Sequence, residues 1–447
     1  MATTSAAPRP AMPGRAASAA QLAARWGLEQ AVPWTAMRAQ ARAGDLHARA
    51  MVEANRSQEM PIEIFDEIRA AGRLHRSRLS FVTARLDTVK EVLGSPDVRA
   101  GIDRRSGPMA RVGAWAQLSA PMGPLRPPSL LAIEPPDHTR LRKLVTRVFS
   151  AKAVQQLEYR TEQIAEQLLD DLPRGDDVDL VEMYCARLPV LVICEILGVP
   201  LDEVDRVRAF GAGAAPSLDV GLSLSELIRV ERSLRQFDDW LATHVRRARR
   251  SPGQDLLSQL VAARDDDGIA LTDAELRNTA GLVLAAGFET TVNLVGNGIS
   301  LLAQHPDQRA AAVADDSSWT NVVEEVLRFD PPVLLTGRTV VRDTQIASVP
   351  VPEGALVTTL LAGANRDPEV FQDPHRFDIF RPEAKEHVSF SSGRHYCLGA
   401  ALARMESRVA LRQLHQRHPR LEIRPGAQRR PTRILRGYLR LPTSLSP

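Results

Sequence analysis

FSSGRHYCLGAALARME, residues 390–406, holds Cys397, one of three cysteines in the 447-residue chain, in a loop that runs straight into a helical pattern. Gly393 and Gly399 stand four residues before and two after the cysteine. Backbone without a Cβ at those places lets the chain turn tightly or approach a flat ligand. A helix expected from about Leu398 to Gln416 points its N-terminal amides at the sulfur, which favours thiolate over thiol. A lone cysteine is otherwise a small buried apolar residue. A thiolate aimed in this way is a strong iron ligand.

The string resembles the haem-binding loop of the cytochromes P450, in which Phe, Gly, His or Arg, Cys and Gly recur as at Phe390, Gly393, His395, Cys397 and Gly399. Ser391 departs from that family, which usually has Gly there. The resemblance implies haem b as cofactor, with Cys397 as axial ligand of the iron and the other four residues framing the group.

Composition bounds the alternatives. Apolar residues make up 44% and charged residues 25%, as in a folded globular protein rather than a disordered or fibrous one. The formal net charge is +3, lysine occurs only at 90, 143, 152 and 385, and no basic block alternates with aromatics. Nucleic acid is therefore not an expected partner. No uninterrupted apolar run reaches the length of a membrane span, so no anchor is expected. Cysteines at 185, 194 and 397 are odd in number and scattered, which fits a reducing cytoplasm. Residues 1–25, rich in Ala, Pro and Arg, read as a disordered tail, and 26–447 as a single domain, expected to be monomeric.

Taken in order, the chain predicts a short helix at 61–70, a strand-like LHRSRLSFVTA and a helix at 87–93. Residues 97–131 show no period and read as a binding loop. EPPDHTRLRKLVTRVFS, 134–150, reads as a helix with His138 and Arg142 on one side. By the resemblance these two hold haem propionates. Helical patterns continue through 155–172, 180–197 and 222–250, and VRAFGAGAAPSLDVG, 207–221, reads as a hinge.

LTDAELRNTAGLVLAAGFETTVNLVGNGISLLAQH, 271–305, opens on a capping box of Thr272 and Glu275 and is apolar on nearly every face. It predicts a buried helix about 50 Å long. Gly287, Glu289, Thr290 and Thr291 are polar or small exceptions that need partners. AGFETT matches the family's oxygen-activation signature. Ala286 and Gly287 would open a groove beside the haem, and Glu289 with Thr290 would manage proton delivery.

Downstream, NVVEEVLRFDPPV sets Glu325 and Arg328 three apart on one helix, matching the family's buried Glu-x-x-Arg element. Arg376 matches its third member and Arg338 a propionate ligand. β-Branched runs between Thr339 and Thr359 and between Arg429 and Ser444 predict small hairpin sheets. The fold class is therefore mainly α with a minor β portion, the cytochrome P450 fold, with a long central helix over a haem.

That resemblance implies a soluble bacterial-type, haem-thiolate monooxygenase acting with O2. No nucleotide-binding Gly loop, flavin segment or iron–sulfur segment is found, so electrons would come from a ferredoxin and its NAD(P)H-dependent reductase. Arg140, Lys143, Arg147, Arg394, Arg404 and Arg408 could form a basic dock for it. Candidate walls for an apolar small-molecule substrate are Leu282, Ala285, Ala286, Leu334, Leu335 and Leu435. They suit a lipid-like, polyketide- or macrolide-like, or steroid-like molecule. A peroxide-driven enzyme and a haem-binding sensor are the competing readings. Retention of the Glu289 and Thr290 pair weighs against the first, and intact motifs against the second.

Overall fold

A computed structural model describes residues 15–56, 59–101, 110–148, 151–173 and 177–445. The helices of the N-terminal half are α1 Arg15–Arg25, α2 Val32–Arg42, α3 Leu46–Arg56, α4 Ile62–Ala70, α5 Leu86–Gly94, α6 Ala110–Gln117, α7 Asp137–Val148, α8 Ala151–Asp170 and α9 Arg187–Ile196. Those that follow are α10 Val204–Ala214, α11 Leu224–Arg250, α12 Leu256–Ala262, α13 Asp273–Gln304, α14 Pro306–Ala314, α15 Trp319–Phe329, α16 Leu361–Ala364 and α17 Ala400–Arg417. The strands are β1 His75–Arg76, β2 Phe81–Thr83, β3 Val98–Ala100, β4 Val178–Asp179, β5 Leu335–Val340 and β6 Thr344–Ile346, then β7 Val349–Val351, β8 Leu356–Leu360, β9 Glu422–Ile423, β10 Gln428–Arg429, β11 Tyr438–Arg440 and β12 Pro442–Ser444.

The 32-residue α13 is the axis of the molecule. Its entry is fixed by the expected capping box: Thr272 Oγ1 accepts from the Glu275 N–H and the Glu275 carboxylate accepts from the Thr272 N–H. With apolar side chains on nearly every face it packs inside the molecule, and its C-terminal half, from Thr291 to Leu302, is buried throughout. Its length and hydropathy would suit a membrane span, but 67% of its most apolar window is buried inside the protein. Helices α9, α10, α11, α15 and α17 pack around it and share its main hydrophobic core.

Glycine sets how closely two of these helices approach. A Cβ on Gly211 would lie 2.6 Å from Phe288 of α13, and one on Gly298 would lie 2.7 Å from Leu411 of α17. The segment 207–221, expected as a hinge, is thus mostly the helix α10 followed by a 3-10 turn at Ala215–Leu218. Gly211 and Gly213 are packing seats for α13 and α11, and Gly221, at φ of 84°, seats Trp34 of α2.

The main sheet has the order β1-β2-β8-β5-β3, with β2 and β8 parallel and the other pairs antiparallel. A second core cluster joins it to α4 through Ile64, Phe65, Val82, Leu334 and Leu360. Two further expectations change. The stretch 97–131 contains β3 and α6, with 102–109 outside the described residues. In the expected disordered tail, residues 1–14 lie outside the described residues, but 15–25 form α1, which packs on α6. The ordered chain therefore starts before the boundary at 26.

Candidate functional site

The loop carrying Cys397 is shaped by two left-handed residues. Ser391 has φ of 64°, the region that favours glycine. Gly393 has φ of 66°, and a Cβ there would stand 2.4 Å from the Leu93 carbonyl oxygen, so the loop lies directly on the end of α5. The Cys397 N–H donates to the Phe390 carbonyl at 2.9 Å and closes the turn. Cys397 is solvent-accessible, yet the protein surrounds it closely enough that burial pushes its thiol up. The Gly399 N–H, Arg142 and Arg404 act in the opposite direction. The Gly399 N–H, at the head of the following helix, thus acts in the direction expected of the helix end, while burial acts against it. A cation placed at the sulfur would act in the same direction as the Gly399 N–H, Arg142 and Arg404 and favour the thiolate.

A cationic cradle adjoins the loop. His138 on α7 is buried, its Nε2 has no partner, and its ring centroid lies 4.5 Å from that of His395. Burial, with His395 and Arg142 nearby, lowers it to about 4. Arg142, one helical turn on, is half-buried; burial lowers it, and the one group opposing this is Cys397, with no carboxylate beside it among the described residues. Arg338 on β5 is buried and donates to Thr336 Oγ1 at 3.0 Å and the Gly337 carbonyl at 2.9 Å; burial pushes it down to about 10.

A single carboxylate, Glu134, faces this group. It accepts from the Ala100 N–H at 2.7 Å, Arg394 at 3.1 Å and His395 at 3.2 Å. Burial alone would raise it, but these bonds hold it at about 2. One anion among three cations and two histidines leaves the cradle under-matched, which suits a ligand bearing two carboxylates, as haem b does. The space is there too. Nothing lies within 4 Å of a Cβ built on Gly399, and only Ile193, at 3.7 Å and beyond, meets one on Gly287.

On α13, Ala286 is exposed and Thr290 half-exposed although the helix runs through the core. The Thr290 hydroxyl donates to the Ala286 carbonyl at 2.6 Å and Thr291 to that of Gly287 at 2.9 Å. Thr290 thus keeps its lone pairs free to accept a hydrogen bond. Glu289 is buried, 3.0 Å from Arg430; burial raises its carboxyl and Arg430 opposes this.

Beneath the loop, Arg328 makes two 2.7 Å bonds to Glu325, both side chains fully buried, and donates to the carbonyls of Asn365, Pro374 and Arg376. Asn365 bonds Ser389 Oγ at 2.7 Å and the Val388 N–H at 2.8 Å, tying this network to the base of the loop. The third member is corrected. Arg376 is exposed and offers its carbonyl only, whereas buried Arg381 brings Nε to 3.5 Å from Glu325. Phe390 lies under the Arg404 guanidinium, 4.5 Å from its centroid, and Arg404 is bound to Glu324.

The expected basic dock is locally neutralised. Arg140 pairs with Glu275, Lys143 with Asp266, Arg394 with Glu134, Arg404 with Glu324 and Arg408 with Glu158; the Arg147 side chain lies outside the described residues. Of the substrate walls, Leu282, Ala285 and Leu335 are partly open, Leu334 belongs to the core cluster around Phe65, and Leu435 is buried against Val333. Leu334 is therefore withdrawn as a wall. Glu134, Arg381 and Arg430 were missed. Glu134 is the first letter of EPPDH, but nothing in spacing links it to His395, 261 residues away.

Comparison with known proteins adds four findings. The family model described as Cytochrome P450 matches residues 225–315 and 319–445. A protein of Mycobacterium tuberculosis named putative cytochrome P450 140 is 46% identical over 410 residues, covering 91% of this chain and 93% of its own. The 6-deoxyerythronolide B hydroxylase of Saccharopolyspora erythraea is 40% identical over 315 residues, 70% of this chain and 76% of its own. Among solved structures, ligand-free CYP164A2 of Mycobacterium smegmatis superposes with a TM-score of 0.75 at 35% identity, covering 86% of this chain and 96% of its own.

Proposed function

The chain belongs to the cytochrome P450 family and is a monooxygenase of the bacterial type with haem b as cofactor, and from that premise we propose that it hydroxylates an extended or macrocyclic apolar molecule with O2 and two electrons from an external ferredoxin and its reductase. The observation that carries the site assignment is the accessible Cys397 at the head of α17 beside an under-matched cationic cradle. In this reading Cys397 ligates the iron, and His138, Arg142 and Arg338 bind the propionates. When bound, the haem would supply oxygen activation, for which a cysteine thiolate is a suited ligand.

The remaining roles belong to side chains. Ala286 and Gly287 leave room beside the cofactor without a bulky Cβ. Thr290 accepts a hydrogen bond at Oγ1, and Glu289 takes up a proton and passes it toward that side of the helix. Leu282, Ala285 and Leu335 exclude water and orient the substrate by shape, since none carries charge. Arg381, Glu325 and Arg328 hold the floor of the loop. Haem fixation, not chemistry, is their contribution. A hydroxylase of a macrolide precursor among the relatives supports a bulky apolar substrate.

The test is spectroscopic. The reduced protein under carbon monoxide should show the thiolate band that gives the family its name, and Cys397→Ser or Cys397→His should lose it. Retention of the full band in either variant would remove Cys397 from the iron.

A further inference from the structure

The C-terminal hairpin from Gln428 to Arg440 lies along one face of α13. Glu289, Asn293, Asn297 and Ser300 are spaced four, four and three residues apart and so share that face. Each meets the hairpin. Arg430 Nε stands 3.0 Å from Glu289 Oε1. A Cβ on Gly437 would stand 2.0 Å from Asn293 Oδ1. Arg429 donates to Asn297 Oδ1 at 2.6 Å, and Ser300 Oγ is 2.7 Å from the Tyr438 hydroxyl.

The four rungs differ in kind. Arg429 is also bound to Asp330 and lies over the Tyr438 ring, so the rungs at Asn297 and Ser300 are braced by aligned bonds. At Glu289 the charges are close but the Arg430 Nε–H is not aligned as a hydrogen bond, and Glu289 Oε2 has no partner. The Arg430 backbone N–H meanwhile donates to the Gly437 carbonyl at 3.0 Å, which fixes the residue in the hairpin. A fixed cation thus faces a buried carboxylate through charge alone.

We propose that Arg430 is a positioning residue for the proton carrier Glu289: it holds the ionised carboxylate against the hairpin, and releases it toward Thr290 when the carboxylate has taken a proton from water. This rests on the proposed role of Glu289 in proton delivery. The proton ends on the Glu289 carboxyl, Arg430 keeps its own, and the attraction between them falls with the loss of one charge.

The rest of the surroundings leaves this to Arg430. Asp330 is neutralised by Arg429 and Arg436, Glu325 by Arg328 and Asp238 by Arg277. On α17, Glu406 is bonded by Thr291 and burial pushes its carboxyl well up, and burial likewise pushes up the thiols of Cys185 and Cys194. Burial raises Glu289 and Arg430 is the charge that opposes it.

The experiment compares Arg430→Lys, Arg430→Met, Glu289→Gln and the double variant Glu289→Gln/Arg430→Met as holoproteins. The first readout is denaturant unfolding from pH 5 to 8, with no turnover involved. Glu289 has a folded-state value above its unfolded one, so its share of stability is full at low pH and is lost as pH rises through the folded value. Removing the cation raises that value further. The loss in Arg430→Met should therefore grow with pH, and Glu289→Gln should abolish the growth.

The second readout is product formed per NAD(P)H. Arg430→Met should lower product formation roughly tenfold, a fraction of what a positioned proton carrier contributes, with a larger solvent deuterium effect, and Arg430→Lys should recover most of it. If Arg430→Met does not fold, recovery in the double variant is the expected sign of charge pairing, and failure to recover overturns the proposal. A pH-independent loss that Glu289→Gln leaves unchanged also overturns it. Wild-type product yield in Glu289→Gln would instead defeat the underlying role of Glu289, so the two failures are distinguishable.

Discussion

Arg25 and Glu231, 206 residues apart, form a bidentate pair at 2.9 Å on each side with both side chains buried. Arg25 also donates to the Ala116 carbonyl and Ser119 Oγ. Around it Gln21 bonds the Trp115 carbonyl, Trp26 the Leu222 carbonyl, and Trp34 stacks under Arg433. The segment from α1 to α2 is thus a strap over α6, the start of α11 and the C-terminal hairpin. Arg25→Ala leaves buried Glu231 with the half-exposed Arg235, 2.9 Å away, as its remaining partner, and should cost up to about 3 kcal/mol, the low end for breaking a buried pair. Hydrogen exchange should rise at 110–119 and 222–235. The neutral double variant Arg25→Met/Glu231→Met should lose less than Arg25→Ala alone, and an equal loss would show that packing rather than charge holds the strap.

Thr290→Ala removes the hydroxyl that accepts beside Ala286 but fills no space. Haem content and substrate binding should stay at the wild-type level while electrons are diverted from product to hydrogen peroxide, with product per NAD(P)H falling about tenfold or more. The check is peroxide and product assayed together against NAD(P)H consumed. Wild-type coupling would take Thr290 out of the mechanism.

Ser391 occupies the left-handed region at φ of 64°, and its hydroxyl is buried without a partner. A non-glycine residue there carries about 1–2 kcal/mol of backbone strain, reduced in effect by the entropy that glycine loses on folding. Ser391→Gly should therefore stabilise the holoprotein by up to about 1 kcal/mol, seen as a higher denaturant midpoint at unchanged slope. A lower midpoint would mean that the loop is set by something other than this dihedral.

Much of the fold is legible in the sequence because its signals are local. Cys397, Gly393 and the segment 286–290 lie in short contiguous strings that resemble the family's motifs, so their candidacy needs no long-range contact. The α13 capping box needs only four residues. What stayed hidden depends on long-range placement. Arg381 and Arg376 are both arginines in the same loop, and only the fold decides which reaches Glu325. The glycines of 207–221 look like hinge residues until Phe288 is seen against Gly211. The strap was misread because Ala- and Arg-rich composition is equally compatible with disorder and with an amphipathic helix whose partner lies some 200 residues on.

His415 on α17 is buried with both ring nitrogens unpartnered and stacks at 11° on Trp319. Burial, with Arg309 and His418 nearby, lowers it to about 3. A histidine depressed in the fold contributes stability above its ordinary value, about 6.5, and that stability is lost as pH falls toward 3. The loss by pH 4 is on the order of 3 kcal/mol. His415→Phe should flatten the acid limb of the stability profile between about pH 6.5 and 4. An unchanged limb would assign acid sensitivity to other groups.

The proposed substrate wall argues for a large apolar molecule. Leu282, Ala285 and Ala286 on α13 and Leu335 on β5 keep open surface, carry no charge and, at Ala285 and Ala286, leave space that larger side chains would fill. Micromolar affinity needs about 8 kcal/mol, and apolar burial yields about 2.5 kcal/mol per 100 Å². A substrate held by shape must therefore bury upwards of roughly 300 Å², beyond the reach of a small polar molecule but within that of a macrolide, a steroid or a long acyl chain. A spectral-shift titration of the ferric protein against steroids, fatty acids, macrolides and small terpenes reads this directly, since a seated substrate displaces water from the iron. Saturating shifts should come from the large apolar members, and Ala285→Phe should weaken them at least tenfold by filling the wall. A response confined to small polar molecules would overturn the substrate class while leaving the haem site intact.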